Sequence, residues 1–218
     1  MSSISHQAHL SSYALVLFGS LALIGTVHAA DVETEDWTAR FQTTYVWQNK
    51  PSFRAAYSGQ NSLSAQTEKS YTATATAYLG LRTWQGGELY FNPEVTQGRP
   101  FSNLEGSAGF SNGELTRTAG SRPKLYRQRL FLRQTWGLDG GTEQMESGIN
   151  QMAGPVDKNR VVLTVGNFSS LDVFDGNIYA KDPRVHFMNA AFMAPLAYDY
   201  AADARGFGWG FAAEWYQD

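Results

Sequence analysis

Hydrophobic and polar residues alternate strictly along residues 70–97, and that alternation recurs through most of the chain. Tyr71, Ala73, Ala75, Ala77, Leu79 and Leu81 fall on one parity; Thr72, Thr74, Thr76, Tyr78 and Arg82 fall on the other. Neighbouring side chains of a β-strand point to opposite faces, so this is a strand with one greasy and one wet side. Gln85-Gly86-Gly87 then reads as a tight turn. The returning arm sets Leu89, Phe91, Pro93 and Val95 against Glu88, Tyr90, Asn92 and Glu94. The first arm exceeds the roughly 5–6 residues usual in soluble strands. It reaches the length of about 9–11 residues with which a tilted strand crosses a bilayer.

The same pattern predicts four more strands. Residues 36–49 place Trp37, Ala39, Phe41, Tyr45 and Trp47 opposite Thr38, Arg40, Gln42, Thr44 and Gln48, with aromatics near both ends. Residues 125–138 place Arg127, Arg129, Phe131, Arg133 and Thr135 on the wet face. Tyr126, Leu130, Leu132 and Trp136 take the other face, interrupted by Gln128 and Gln134. Residues 160–166 turn Val161, Leu163 and Val165 away from Arg160 and Thr164, and residues 207–215 set Phe207, Trp209, Phe211, Ala213 and Trp215 against Gly208, Gly210 and Glu214. Long polar connections at 51–69 and 98–124 and a longer one at 168–206 separate these strands. If the mature N-terminus lies in the periplasm, the three long connections fall outside and the Gln-Gly-Gly turn inside. Residues 139–159, rich in Gly and Glu, are then longer than an inside turn should be. Within 168–206, Asp182-Pro183 resembles a helix start and Val185, Phe187, Met188, Ala191 and Phe192 a packing stripe ended by Pro195. A connection of this length is more often functional than a simple linker, and it is expected to fold inward and narrow a pore.

The chain has 218 residues, no cysteine, a formal net charge of −3 and 14% aromatic residues. Without disulfides the strands themselves must supply stability. The charge balance gives no footprint for nucleic acid. Residues 13–27 are an apolar run ending in Val27-His28-Ala29-Ala30. This is the form of an export signal cleaved after Ala29 or Ala30, although the first twelve residues hold no Lys or Arg. Domain boundaries are therefore set at 1–30 for the signal and 31–218 for the exported part. No later run is long enough for a membrane helix, which leaves a closed barrel as the way to reside in a membrane. The fold expected is all-β, a transmembrane antiparallel β-barrel of outer-membrane type. Such single-chain barrels have about 8 strands or more, in even number, so six strands are expected to be the N-terminal part of a larger barrel continuing beyond Asp218.

Chemistry that would indicate an enzyme is sparse. Three histidines lie in the export signal and only His186 remains, so a histidine metal cluster is excluded and no cofactor is expected. There is no Gly-x-Ser-x-Gly elbow. Gly206, Gly208 and Gly210 lie among aromatics with no helix after them, unlike a nucleotide loop. Asp172 and Asp175-Gly176-Asn177 lack the spacing of a calcium loop. Glu88, Glu94, Asp172 and Asp175 are better read as carboxylates of a wetted lumen than as a glycosidase pair. The arginines Arg127, Arg129 and Arg133, with Arg160, suggest a basic ladder along a channel. Paired to nearby acids they would be an ordinary solvated face. A guanidinium offers five donors in a fixed fork, suited to sugar hydroxyls. Tyr78, Tyr90 and Phe131 add flat surfaces on the same faces.

Several motifs carry a family resemblance. They are Phe174-Asp175-Gly176-Asn177, Tyr179-Ala180, Asp182-Pro183-Arg184, Phe187-Met188-Asn189, Asp199-Tyr200-Ala201, Asp203, Arg205-Gly206 and Trp209-Gly210. Leu89 to Glu94, Asn150 to Gly154 and Leu163 to Phe168 support them. Together they resemble the carbohydrate-selective porin family (OprB-type) of Gram-negative outer membranes. The resemblance implies a sixteen-stranded barrel, inward loops forming a constriction, and passive diffusion of sugars such as glucose through an arginine-bearing eyelet. It implies a chain about twice this length, and it places Arg184 and Arg205 at matching motif positions. The implied partners are the transported carbohydrate and outer-membrane lipid; homo-oligomerisation stays open. A non-selective general porin and a secreted β-sandwich carbohydrate-binding protein remain alternatives, the latter predicting that the Ala73–Leu79 face packs on a second sheet.

Overall fold

The protein is described by a computed structural model covering residues 33–105, 113, 120–174, 179, 186, 201–203 and 206–218. Its strands are β1 (Trp37–Lys50), β2 (Glu68–Trp84), β3 (Gly87–Arg99), β4 (Lys124–Gly137), β5 (Thr142–Met145), β6 (Gly154–Asp157), β7 (Arg160–Phe168) and β8 (Gly208–Tyr216). Six form one antiparallel sheet in the order β1-β2-β3-β4-β7-β8, and β5 and β6 pair by themselves. The six long strands stand where alternation predicts them. The connection 139–159 differs: it is no plain loop but contains the β5–β6 hairpin. Among the described residues there is no α-helix, and none long and apolar enough to cross a membrane.

Strand direction defines two ends. Residues 33–36, the turn at 85–86 and the connection 138–159 lie at the near end. β1, β3 and β7 run toward the far end.

Burial is inverted relative to a soluble sheet. Thr72, Thr74, Thr76, Asn92, Glu94 and Thr96 are all but fully buried, whereas Trp37, Phe41, Tyr45, Leu81, Phe211 and Trp215 are exposed. A sheet folded in water hides its apolar face. Here the six long strands turn that face outward. Among the described residues the Ala73–Leu81 face carries no second sheet, which the β-sandwich alternative requires: Leu79 and Leu81 on it are exposed.

On the inner side Tyr90, Phe131, Met152, Phe168 and Ala212 form the buried cluster. Tyr90 stacks on Phe131 at 5.0 Å between centroids, and Phe131 meets Phe168 edge-on at 6.2 Å. Tyr90 lies opposite Gly80, and a Cβ there would stand 2.8 Å from the Tyr90 ring and 2.9 Å from the Thr38 methyl. The glycine thus makes room for the ring.

One irregularity changes the reading of β4. Asn92 pairs with Arg129 but Pro93 pairs with Arg127, so Gln128 is the extra residue of a bulge. A bulge reverses the parity of everything on one side of it. Tyr126 and Gln128 therefore face inward with Arg129, Phe131 and Arg133, and Arg127 faces outward.

Candidate functional site: the inner face of the sheet

The inner face is built by residues of one parity from each strand. Glu88 of β3 is its electrostatic centre at the near end. Its carboxylate stands 3.4 Å from Arg82 Nη1 and 3.7 Å from Arg133 Nη1, and it accepts the Tyr90 hydroxyl at 2.9 Å. The Arg133 guanidinium lies over both aromatic rings of the cluster, 5.2 Å from Tyr90 and 5.5 Å from Phe131. Arg160 repeats the arrangement: it donates to Glu143 at 2.6 Å and lies 4.0 Å over the Tyr216 ring. Arg129 makes a two-pronged contact with Asp172, at 2.8 and 2.7 Å, beneath which the Phe207 ring lies at 4.9 Å. Each of these guanidiniums thus lies over an aromatic ring and beside a carboxylate. Charge-assisted bonds and ring stacking both favour one orientation.

Farther along, Glu94 is buried and accepts from Thr76 Oγ1 at 2.7 Å and Gln128 Nε2 at 2.8 Å. The Tyr126 hydroxyl donates to Asp203. Tyr78, also buried, donates to Gln42 at 3.2 Å. A cavity of about 230 Å³ opens where the near-end groups meet, lined among others by Arg82, Glu88, Arg133, Arg160, Gln151 and Asp172. That lies below the roughly 300–1,000 Å³ of pockets for drug-sized ligands and suits a small solute.

The structure therefore gathers Arg129, Arg133, Arg160, Tyr78, Glu88 and Glu94 on one face. It does not bring Arg127 there. The expectation that Arg127, Arg129 and Arg133 share a face is corrected by the Gln128 bulge, and Arg127 lies over the exposed Trp209 ring at 5.0 Å on the outer side. Asp175, Asp182, Arg184 and Arg205 lie outside the described residues. Three inner-face partners were not singled out from sequence: Arg82, Glu143 and Glu214. Arg82 shares the parity of Thr76 and Tyr78, a signal sufficient to find it. Glu143 has no such signal, because its four-residue strand shows no alternation.

No metal-holding group of three or more His, Cys, Asp or Glu occurs among the described residues. The site offers guanidiniums, amides, hydroxyls and ring faces on one side of the sheet. Neither curated proteins nor solved structures gave a match to the chain. A family match covers residues 60–218, well over half of the sequence, under the description "Carbohydrate-selective porin, OprB family". An all-antiparallel sheet with an outward apolar face and an arginine-bearing polar inner face is the architecture such a channel needs, and the chain belongs to the carbohydrate-selective porin, OprB family.

Proposed function

We propose that this chain forms part of the wall of an outer-membrane channel through which monosaccharides such as glucose diffuse passively, with partial selectivity, into the periplasm. The observation that carries this reading is the repeated inner-face unit of guanidinium, carboxylate and aromatic ring at Arg129, Arg133 and Arg160. Fixed forks pair with vicinal hydroxyls and ring faces receive the apolar face of a pyranose. Rings of such side chains set pore selectivity. The near end faces the periplasm in this reading, and residues 1–30 are the export signal.

The outer edges of β1 and β8 carry backbone groups that hydrocarbon cannot satisfy, so further strands pair with them, and the family resemblance implies sixteen in the full barrel. Outer-membrane lipid then covers Phe41, Tyr45 and Phe211. Arg184, Arg205, Asp175 and Asp182 are assigned to the constriction of residues 168–206 on the strength of their motif positions. The full-length protein in a planar bilayer should conduct, and millimolar glucose should reduce that conductance. Conductance that sugars leave unchanged would mean a general porin; absence of conductance would refute the channel itself.

A further inference from the structure

The connection between β4 and β7 lies at the end where barrel turns are short. It has a closed neck. Lys158 N donates to Gly141 O at 2.9 Å and Asn159 N donates to Asp139 O at 3.2 Å. A two-residue turn at that neck would join the strands. Residues 142–157 are therefore an insertion that strand pairing does not require.

The insertion is bound across the inner face rather than left at the rim. The Glu35 carboxylate accepts from Ser147 Oγ at 2.7 Å and from Ala153 N at 2.8 Å. Ser147 Oγ in turn accepts from Arg40 of β1 at 2.6 Å. Ala153 O accepts from Glu35 N and from Arg82 Nη2 of β2, each at 3.0 Å. Asn150 accepts from Asn92 of β3 at 2.9 Å through its side chain and from Arg133 of β4 at 3.0 Å through its carbonyl. Glu143 accepts from Arg160 of β7. Met152 is buried against Tyr90 and Phe131. Five strands thus hold one short segment, mostly through charged groups, whose hydrogen bonds are the stronger ones. A segment so anchored is a fixed shelf, not a moving lid.

The shelf has one side toward open space. Met145, Gln151, Met152 and Val156 line the 230 Å³ cavity opposite Phe131, Arg133, Val162 and Thr164 of the wall. We propose that residues 142–157 form a second, exit constriction of the channel, with Arg82, Glu88, Arg133 and Gln151 around the passage. This deepens the channel reading and rests on it.

The test uses the full-length channel in a planar bilayer. In one variant residues 142–157 are replaced by Asn-Gly between Gly141 and Lys158. Single-channel conductance in potassium chloride should rise at least about two-fold, because a constriction in series dominates the resistance. Unchanged conductance in a heat-modifiable, folded barrel would overturn the proposal. The second variant, Gln151→Cys, keeps the shelf and adds a thiol where the 218 residues have no cysteine. Addition of a bulky methanethiosulfonate reagent from the near side should lower its conductance stepwise, and labelled channels that conduct as before would overturn the proposal even if the deletion fails to fold. A wild-type protein that never conducts would instead remove the channel reading itself.

Discussion

Replacing Glu88 by glutamine removes one charge from the inner face and almost no volume. In the native protein Glu88 sits between two guanidiniums, 3.4 Å from Arg82 and 3.7 Å from Arg133, so the three side chains sum to one positive charge. In Glu88→Gln they sum to two. A unit pair about 4 Å apart is worth roughly 1 kcal/mol in bulk water and roughly 4 kcal/mol near a protein surface. A wetted lumen lies toward the lower value, so a passing chloride gains about 1–2 kcal/mol and a potassium ion loses as much. The two changes add to about 2–4 kcal/mol, and at about 1.4 kcal/mol per decade the anion-to-cation permeability ratio rises roughly 30-fold or more. The Tyr90 hydroxyl can donate to the new amide oxygen as it did to the carboxylate, which keeps the cost to folding near 1 kcal/mol. The assay is the reversal potential of the full-length channel under a potassium chloride gradient. The shift should fade at about 1 M salt, where the screening length is only about 3 Å. A ratio that stays constant or falls would refute the placement of Glu88, Arg82 and Arg133 beside the ion path.

Three other outcomes are expected. Ala75→Arg puts a charge on the outer face at mid-strand and should destabilise the liposome-embedded barrel by about 2–4 kcal/mol in denaturant titrations, whereas Thr44→Arg on the inner face should cost little. Gly80→Val drives a side chain into the Tyr90 ring and should lower stability by about 1–3 kcal/mol, read in the same titrations. Arg129→Ala should weaken glucose block of the channel, and Arg127→Ala should leave it unchanged because that guanidinium lies over Trp209 on the other side; equal effects of both would contradict the bulge.

Alternation alone made the long strands legible. Threonine and alanine trade places along β2 with no local competitor, and the other strands of the six-stranded sheet repeat the rule, β4 with a break at Gln128. The bulge in β4 was also written in the sequence. Leu125 and Leu130 pair with Val95 and Phe91 and both face outward, yet they differ in parity, which an unbroken strand does not permit. Reading three arginines by parity alone passed over that conflict. The β5–β6 hairpin had no comparable signal. Thr142–Met145 and Gly154–Asp157 are four residues each, one holding a proline, and what fixes them is Glu35, Arg82 and Asn92, all remote in sequence. Propensity and pattern act locally, so a segment held by distant charged groups is invisible to them. The inner-face pairs show the same division: Arg133 could be placed on its face from the strand, but its stacking on Tyr90 arises from the register of β3 on β4.

The sidedness of the sheet is tested most directly by nitroxide scanning of the full-length protein in liposomes. Labels replace Phe41, Tyr45 and Phe211 on the outer face, and Gln42, Thr44 and Arg133 on the inner face, one at a time. The outer set should collide with oxygen dissolved in lipid and the inner set with a water-soluble nickel chelate. The reverse pattern, or no difference between the sets, would contradict the claim that the apolar faces meet lipid and the polar faces enclose the passage.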